Sequence, residues 1–186
     1  MKRKLTGFLG RAFSYPEYAK AFKSAGDLLA GYMAIPGGRE PLVLPAIYLY
    51  RHYVELMVKV LTYMEADLSE GNASSNKPKV EHDIEKLWIK LEPRIRARLP
   101  EYASEISEVK NCISKLSGID ASGYKLRYPE DTGGHEVSFT TDDVDVIGLR
   151  EAVSKAAESF DSIHSALSDI QHERWDEMQI DQDEGS

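Results

Sequence analysis

Between Pro45 and Met64 the chain carries Ile47, Tyr48, Leu49, Tyr50, Val54, Leu56, Met57, Val60 and Leu61, with almost no polar face. A helix that is apolar nearly all round belongs at the centre of a bundle, so the remaining segments must supply helices to surround it. Four others have the right period. The first starts near Pro16 and spaces Tyr18, Phe22, Ala25, Leu29 and Tyr32 by alternate fours and threes, stopping before Pro36. The third opens at His82-Asp83 and stripes Ile84, Leu87, Trp88, Leu91 and Ile95, with Pro93 expected to kink or end it. The fourth opens at Pro100, carries Tyr102, Ile106, Val109, Ile113 and Leu116, and is expected to stop at Gly118.

The fifth is expected to start after Thr140 or Thr141, with Asp142 and Asp143 near its positive end, and runs through Val146, Leu149, Val153, Ala156, Phe160, Ile163, Leu167 and Ile170. At 1.5 Å per residue it is roughly 45 Å long, more than a small bundle needs, so part of it is expected to project or pack on another subunit. Residues 69–78 read as a polar surface loop, and Tyr124–Pro129 with Val137–Phe139 as two short extended pieces around Gly133-Gly134. The expected fold is therefore all-α: an antiparallel bundle of about five helices in one domain (1–175), a short hairpin insert between the fourth and fifth, and a frayed acidic tail (176–186).

Several chemistries find no motif. The single Cys excludes a disulfide framework and a cysteine-based zinc site. There is no H-E-x-x-H, no paired Glu-x-x-His, no phosphate-cradling glycine loop followed by Lys-Ser or Lys-Thr, and no serine elbow, so neither metal nor cofactor is expected. No segment reads as a membrane span, and no apolar region follows the basic start MKRKLTGF, so a cytoplasmic protein is expected. A net charge of -8 disfavours sequence-blind binding along nucleic-acid phosphates. Lys86, Lys90, Arg94, Arg96 and Arg98 nevertheless make the third helix basic, most simply as a solvated face.

Two groups of residues stand out. Arg51, Glu55 and Lys59 fall at successive i,i+4 steps of the dry central helix, and His52 is three residues before Glu55. Charges buried there need partners. Either Glu55 satisfies Arg51 and His52 as a structural lock, or the three form a site in which His52 moves a proton, Glu55 orients it and Arg51 holds an oxyanion. In the second group, Arg127 and Tyr128 of Arg127-Tyr128-Pro129-Glu130 either bind an anion beside an aromatic ring or wedge the loop onto the helices.

Taken in order, Ala46 to Leu56 with its Arg51-His52-x-x-Glu55-Leu56 core, His82 to Trp88, and Leu126 to Asp131 resemble the HEPN superfamily (higher eukaryotes and prokaryotes nucleotide-binding domain), over roughly residues 42–170. The resemblance implies a helical bundle that forms a homodimer, in proteins of prokaryotic toxin–antitoxin, defence or RNA-processing systems. Its active members are metal-independent ribonucleases with an Arg and a His separated by four to six intervening residues. No Arg here has a His at that spacing; Arg127 and His135 come nearest, with seven residues between them. The expectation is a dimeric binding protein for RNA, a nucleotide or a protein partner, without the family's catalytic pair. A ribonuclease built on Arg51, His52 and Glu55 and a purely structural interaction module are the alternatives.

Overall fold

The computed structural model describes residues 14–35, 40–70, 81–130, 133–137 and 144–184. They form five α-helices: α1 (Tyr15–Met33), α2 (Val43–Glu70), α3 (Ile84–Arg98), α4 (Ala103–Asp120) and α5 (Val146–Glu184). Short 3-10 turns, Glu40–Leu42 and Pro100–Tyr102, lead into α2 and α4. No strand forms among the described residues, so the chain is an all-α bundle.

The central role expected of the apolar helix holds: α2 packs against every other helix. Its Ile47, Tyr50, Tyr53, Val54, Met57 and Leu61 are buried with Leu87, Trp88 and Leu91 of α3, Ile106, Val109 and Ile113 of α4, and Val153, Phe160 and Ile163 of α5. α1 docks through a close approach, since a Cβ on Gly26 would lie 2.8 Å from the Tyr50 ring. The Tyr50 hydroxyl donates to Asp27 Oδ1 there (2.9 Å).

Cross-links between helices set their directions. Tyr50 meets Asp27 while Tyr63 meets Tyr15, so α1 runs against α2. The end of α4 lies at Arg51, so it too is antiparallel to α2. In α3, by contrast, the start lies beside Glu55 and the end beside Glu65, which makes it parallel to α2. Arg174 near the end of α5 donates to the Leu68 carbonyl, so α5 also ends where α2 ends. The bundle is thus not uniformly antiparallel: α2 and α3, consecutive in the chain, run the same way. Residues 71–80, which include most of the segment read as a polar loop, lie outside the described residues.

Helix ends follow local chemistry. Ser14 and Glu17 form a reciprocal capping box for α1. Asp83 caps α3 by accepting from the Glu85 and Lys86 amides. The helix does not end at Pro93 but continues through it to Arg98. Pro93 faces water, as does Ile89, whose carbonyl loses its helical donor, so hydration can replace that bond. Nor does Gly118 stop α4, which runs two residues further. α5 begins at Val146, with Asp145 Oδ1 accepting from the Gly148 amide (2.8 Å). The expected start at Thr140 or Thr141, with Asp142 and Asp143, lies outside the described residues. Residues expected as a frayed tail from 176 continue α5 to Glu184.

Of the insert between α4 and α5, Ser138 and Phe139, expected to be extended, lie outside the described residues. One antiparallel bridge pairs Glu130 with Glu136, and the Val137 amide donates to the Pro129 carbonyl (2.8 Å). Residues 124–128, expected to be extended, close instead into a turn in which the Arg127 and Tyr128 amides both donate to the Tyr124 carbonyl.

Candidate functional site

Arg51 is 3% exposed and lies against the carboxyl end of α4. Its Nε donates to the Asp120 carbonyl (2.9 Å) and its Nη2 to the carbonyls of Ala121 (2.9 Å) and His82 (2.6 Å). Helix ends leave carbonyls unpaired and carry partial negative charge, so a guanidinium from a neighbouring helix is a natural cap. Nη1 donates to Glu55 Oε2 (3.1 Å), which balances the charge. One side chain of α2 thereby fixes the end of α4 and the entry to α3.

Glu55, 4% exposed, closes the other half of the network. Its Oε1 accepts from Lys59 Nζ (2.7 Å) and meets His82 Nδ1 (2.9 Å). Burial alone would raise its pKa, but the hydrogen bonds from Lys59 and His82 and the charges of Lys59 and Arg51 reverse this and hold it below its ordinary 4.5. A carboxyl with a depressed folded pKa stabilises the fold above its unfolded value, and that contribution disappears as pH falls through the folded value. Below about pH 4.5, Glu55→Gln is therefore expected to make stability fall less steeply with acid than in the wild type, measured by urea unfolding across pH 2.5–5.5.

His52 does not join this cluster. It is one residue on from Arg51, turned about 100° around the helix. Its ring packs between Phe22 (4.4 Å between centroids, edge-on) and Tyr48 (5.8 Å, stacked). Burial foremost lowers its pKa from 6.5, Lys59, Arg127 and Arg51 push the same way, and Glu55 opposes. Its place among aromatic rings thus favours the neutral imidazole. The imidazole that touches Glu55 is His82's, a residue that reads in sequence only as part of a helix cap.

The loop after α4 is organised by Asp120, another buried acid. Its Oδ1 accepts from the Gly123 amide (2.9 Å) and Ser122 Oγ (3.0 Å), and its Oδ2 from the Leu126 amide (3.1 Å). Gly123 takes φ +71°, and a Cβ there would fall on the Arg51 guanidinium. The Gly123 carbonyl accepts from Arg127 Nε (2.7 Å), and Arg127 has no other hydrogen-bond or ion-pair partner among the described residues. Arg127 lies 5.9 Å from the centre of the Tyr128 ring, which sits 4.6 Å from the Tyr124 ring.

Arg127 and Tyr128 border a cleft of about 460 Å³. Leu44, Leu126, Pro129 and Val137 give it apolar walls, Lys125 a second cation and Glu136 one acid. Lys125 had no signal in the sequence, because only the turn brings it beside Arg127. The structure thus separates the two groups of candidates. Arg51 and Glu55 form a closed lock, while Arg127 and Tyr128 face an open cleft.

The other reactive groups are muted. Cys112 is buried and its thiol is pushed up to about 12 by that burial, so it is not a thiolate nucleophile. Among the described residues no group of three His, Cys, Asp or Glu side chains is placed to hold a metal, and no helix is long and apolar enough to cross a membrane. No family model, curated protein or solved structure matches the chain.

Proposed function

We propose that this protein is a HEPN-like, homodimeric binding protein whose ligand is a nucleotide, either free or as a unit of single-stranded RNA, taken in the Arg127–Tyr128 cleft. The observation that carries this reading is a guanidinium anchored, among the described residues, through Nε alone, next to an aromatic ring, at the edge of a cleft whose second cation is Lys125. A phosphate suits the remaining Arg127 donors and Lys125, while a base suits the Tyr128 face or the walls formed by Leu44, Leu126 and Val137. A volume of about 460 Å³ is in the range of small-ligand sites. Binding is favoured over cleavage because the acid–base group on α2 is already engaged: Arg51 holds carbonyls and Glu55 is shared by three cations or donors.

Calorimetric titration with AMP, inorganic phosphate and hexauridylate tests it. The wild type is expected to bind AMP or the RNA more tightly than phosphate. Arg127→Ala and Tyr128→Ala are each expected to weaken that binding roughly tenfold or more, as for loss of a charged hydrogen bond or a stacking face. AMP binding alone would indicate a free nucleotide, and a gain with the hexamer a site for RNA. Absence of binding to either, or affinities that neither substitution changes, overturns the reading.

A further inference from the structure

The cleft beside Arg127 is lined by one acid as well as by two cations. Glu136 borders it together with Lys125 and Arg127, yet its carboxylate pairs with neither. Among the described residues that side chain has no hydrogen-bond or ion-pair partner, and it is exposed. An acid left free within a cleft that also carries two cations is available to a ligand.

The backbone sets where the acid stands. Glu130 and Glu136 form the antiparallel bridge, and the Val137 amide donates to the Pro129 carbonyl. Glu136 is therefore placed opposite a residue two beyond Tyr128, on the side away from the turn that carries Lys125 and Arg127. Of the two acids facing each other in the bridge, only Glu136 lines the cleft. From Arg127 to Glu130 the chain reaches at most about 11 Å. Along the cleft the order is cation, aromatic ring, acid.

A nucleotide carries its groups in the same order: phosphate, face of the base, hydrogen-bonding edge of the base. The acid then decides which base fits. A carboxylate only accepts, through two oxygens. Guanine presents N1–H and N2–H side by side, which a carboxylate receives as a fork, as it does the two N–H groups of a guanidinium. Adenine sets a lone pair at N1 beside its N6–H, and cytosine one at N3 beside its N4–H. Uracil flanks a single N3–H with carbonyl oxygens. Each of these three turns a lone pair toward the acid, which is a repulsive element against the wrong base. We infer that the nucleotide selected by the cleft carries guanine, with Glu136 accepting from N1–H and N2–H while Arg127 and Lys125 take the phosphate. The inference rests on the nucleotide reading of the cleft and adds the identity of the base. A ribose diol would also satisfy a carboxylate, but the sugar adjoins the phosphate, on the Arg127 side of the ring, and Glu136 stands beyond it.

Calorimetric titration of the full chain with GMP, IMP and AMP tests it, on the wild type, Glu136→Gln and Arg127→Ala. The wild type is expected to bind GMP roughly tenfold more tightly than AMP, as for a charged hydrogen bond at an open rim. IMP, which keeps N1–H and lacks the N2 amine, should fall between them. Glu136→Gln preserves the size of the side chain and the backbone bridge but replaces one acceptor with a donor. It is expected to lose about tenfold for GMP and nothing for AMP, so that the preference disappears. Equal binding of GMP and AMP, a preference for AMP, or a GMP preference that Glu136→Gln leaves intact overturns the inference. So does an equal loss for all three nucleotides, which would give Glu136 to the ribose. In each of those cases the cleft reading stands if Arg127→Ala still weakens binding, whereas absence of binding to all three nucleotides overturns both.

Discussion

Arg51→Met is expected to lower the free energy of unfolding by about 3–5 kcal/mol, the range for breaking a buried ion pair by removing one partner. The substitution leaves the Glu55 carboxylate buried without its guanidinium and frees the carbonyls of His82, Asp120 and Ala121. Arg51→Met combined with Glu55→Leu is expected to recover most of the loss, because the uncompensated charge goes with it, while Lys59 and His82 keep access to water. Recovery should fall short of complete, since the end of α4 still lacks its cap. Urea unfolding of the two single variants and the double variant gives the coupling directly.

The second large effect is expected at Gly123. Its φ of +71° disfavours any side chain, and the space a Cβ would take is filled by the Arg51 guanidinium. Left-handed backbone in a non-glycine residue costs about 1–2 kcal/mol, and overpacking a filled site a further 1–3 kcal/mol or so. Gly123→Ala is therefore expected to destabilise by about 3 kcal/mol. It should also weaken nucleotide binding, because the Gly123 carbonyl positions Arg127. Gly118→Ala is the control. It sits inside α4 with open space where the Cβ would go, and is expected to stabilise by about 0.5–1 kcal/mol.

The five helices and the central place of α2 were legible because apolar periodicity is a local property, written into each segment by the face it must bury. Buried charge at Arg51 and Glu55 was legible for the same reason. Their pairing with each other and with Lys59 was legible from the i,i+4 spacing, but their long-range partners were not. Arg51 is held by carbonyls 69 and 70 residues away, and any residue type could supply those atoms. Helical spacing placed His52 within reach of Glu55, but tertiary packing turned its ring into the aromatic contacts and brought in His82, 27 residues on from Glu55. Whether α3 could continue past Pro93 was not legible, because it depends on whether water can reach the Ile89 carbonyl, which only the packed helix decides. The segment Tyr124–Tyr128 has the aromatic composition of a strand, and the signal for a turn lay upstream, in Asp120-Ala121-Ser122-Gly123: a short acid placed to collect the following amides, and a glycine free to reverse the chain.

The two candidate groups are joined through Gly123, which touches Arg51 on one side and holds Arg127 on the other. A lock can shape a binding loop without itself contacting a ligand, and stability and affinity then answer to different residues. The most direct test is the nucleotide affinity of the folded Arg51→Met, Glu55→Leu protein, measured by calorimetry beside Arg127→Ala. The account predicts an affinity within about threefold of wild type for the double variant and a loss of roughly tenfold or more for Arg127→Ala. A folded double variant that no longer binds, with Arg127→Ala binding normally, would contradict it and place the ligand at Arg51.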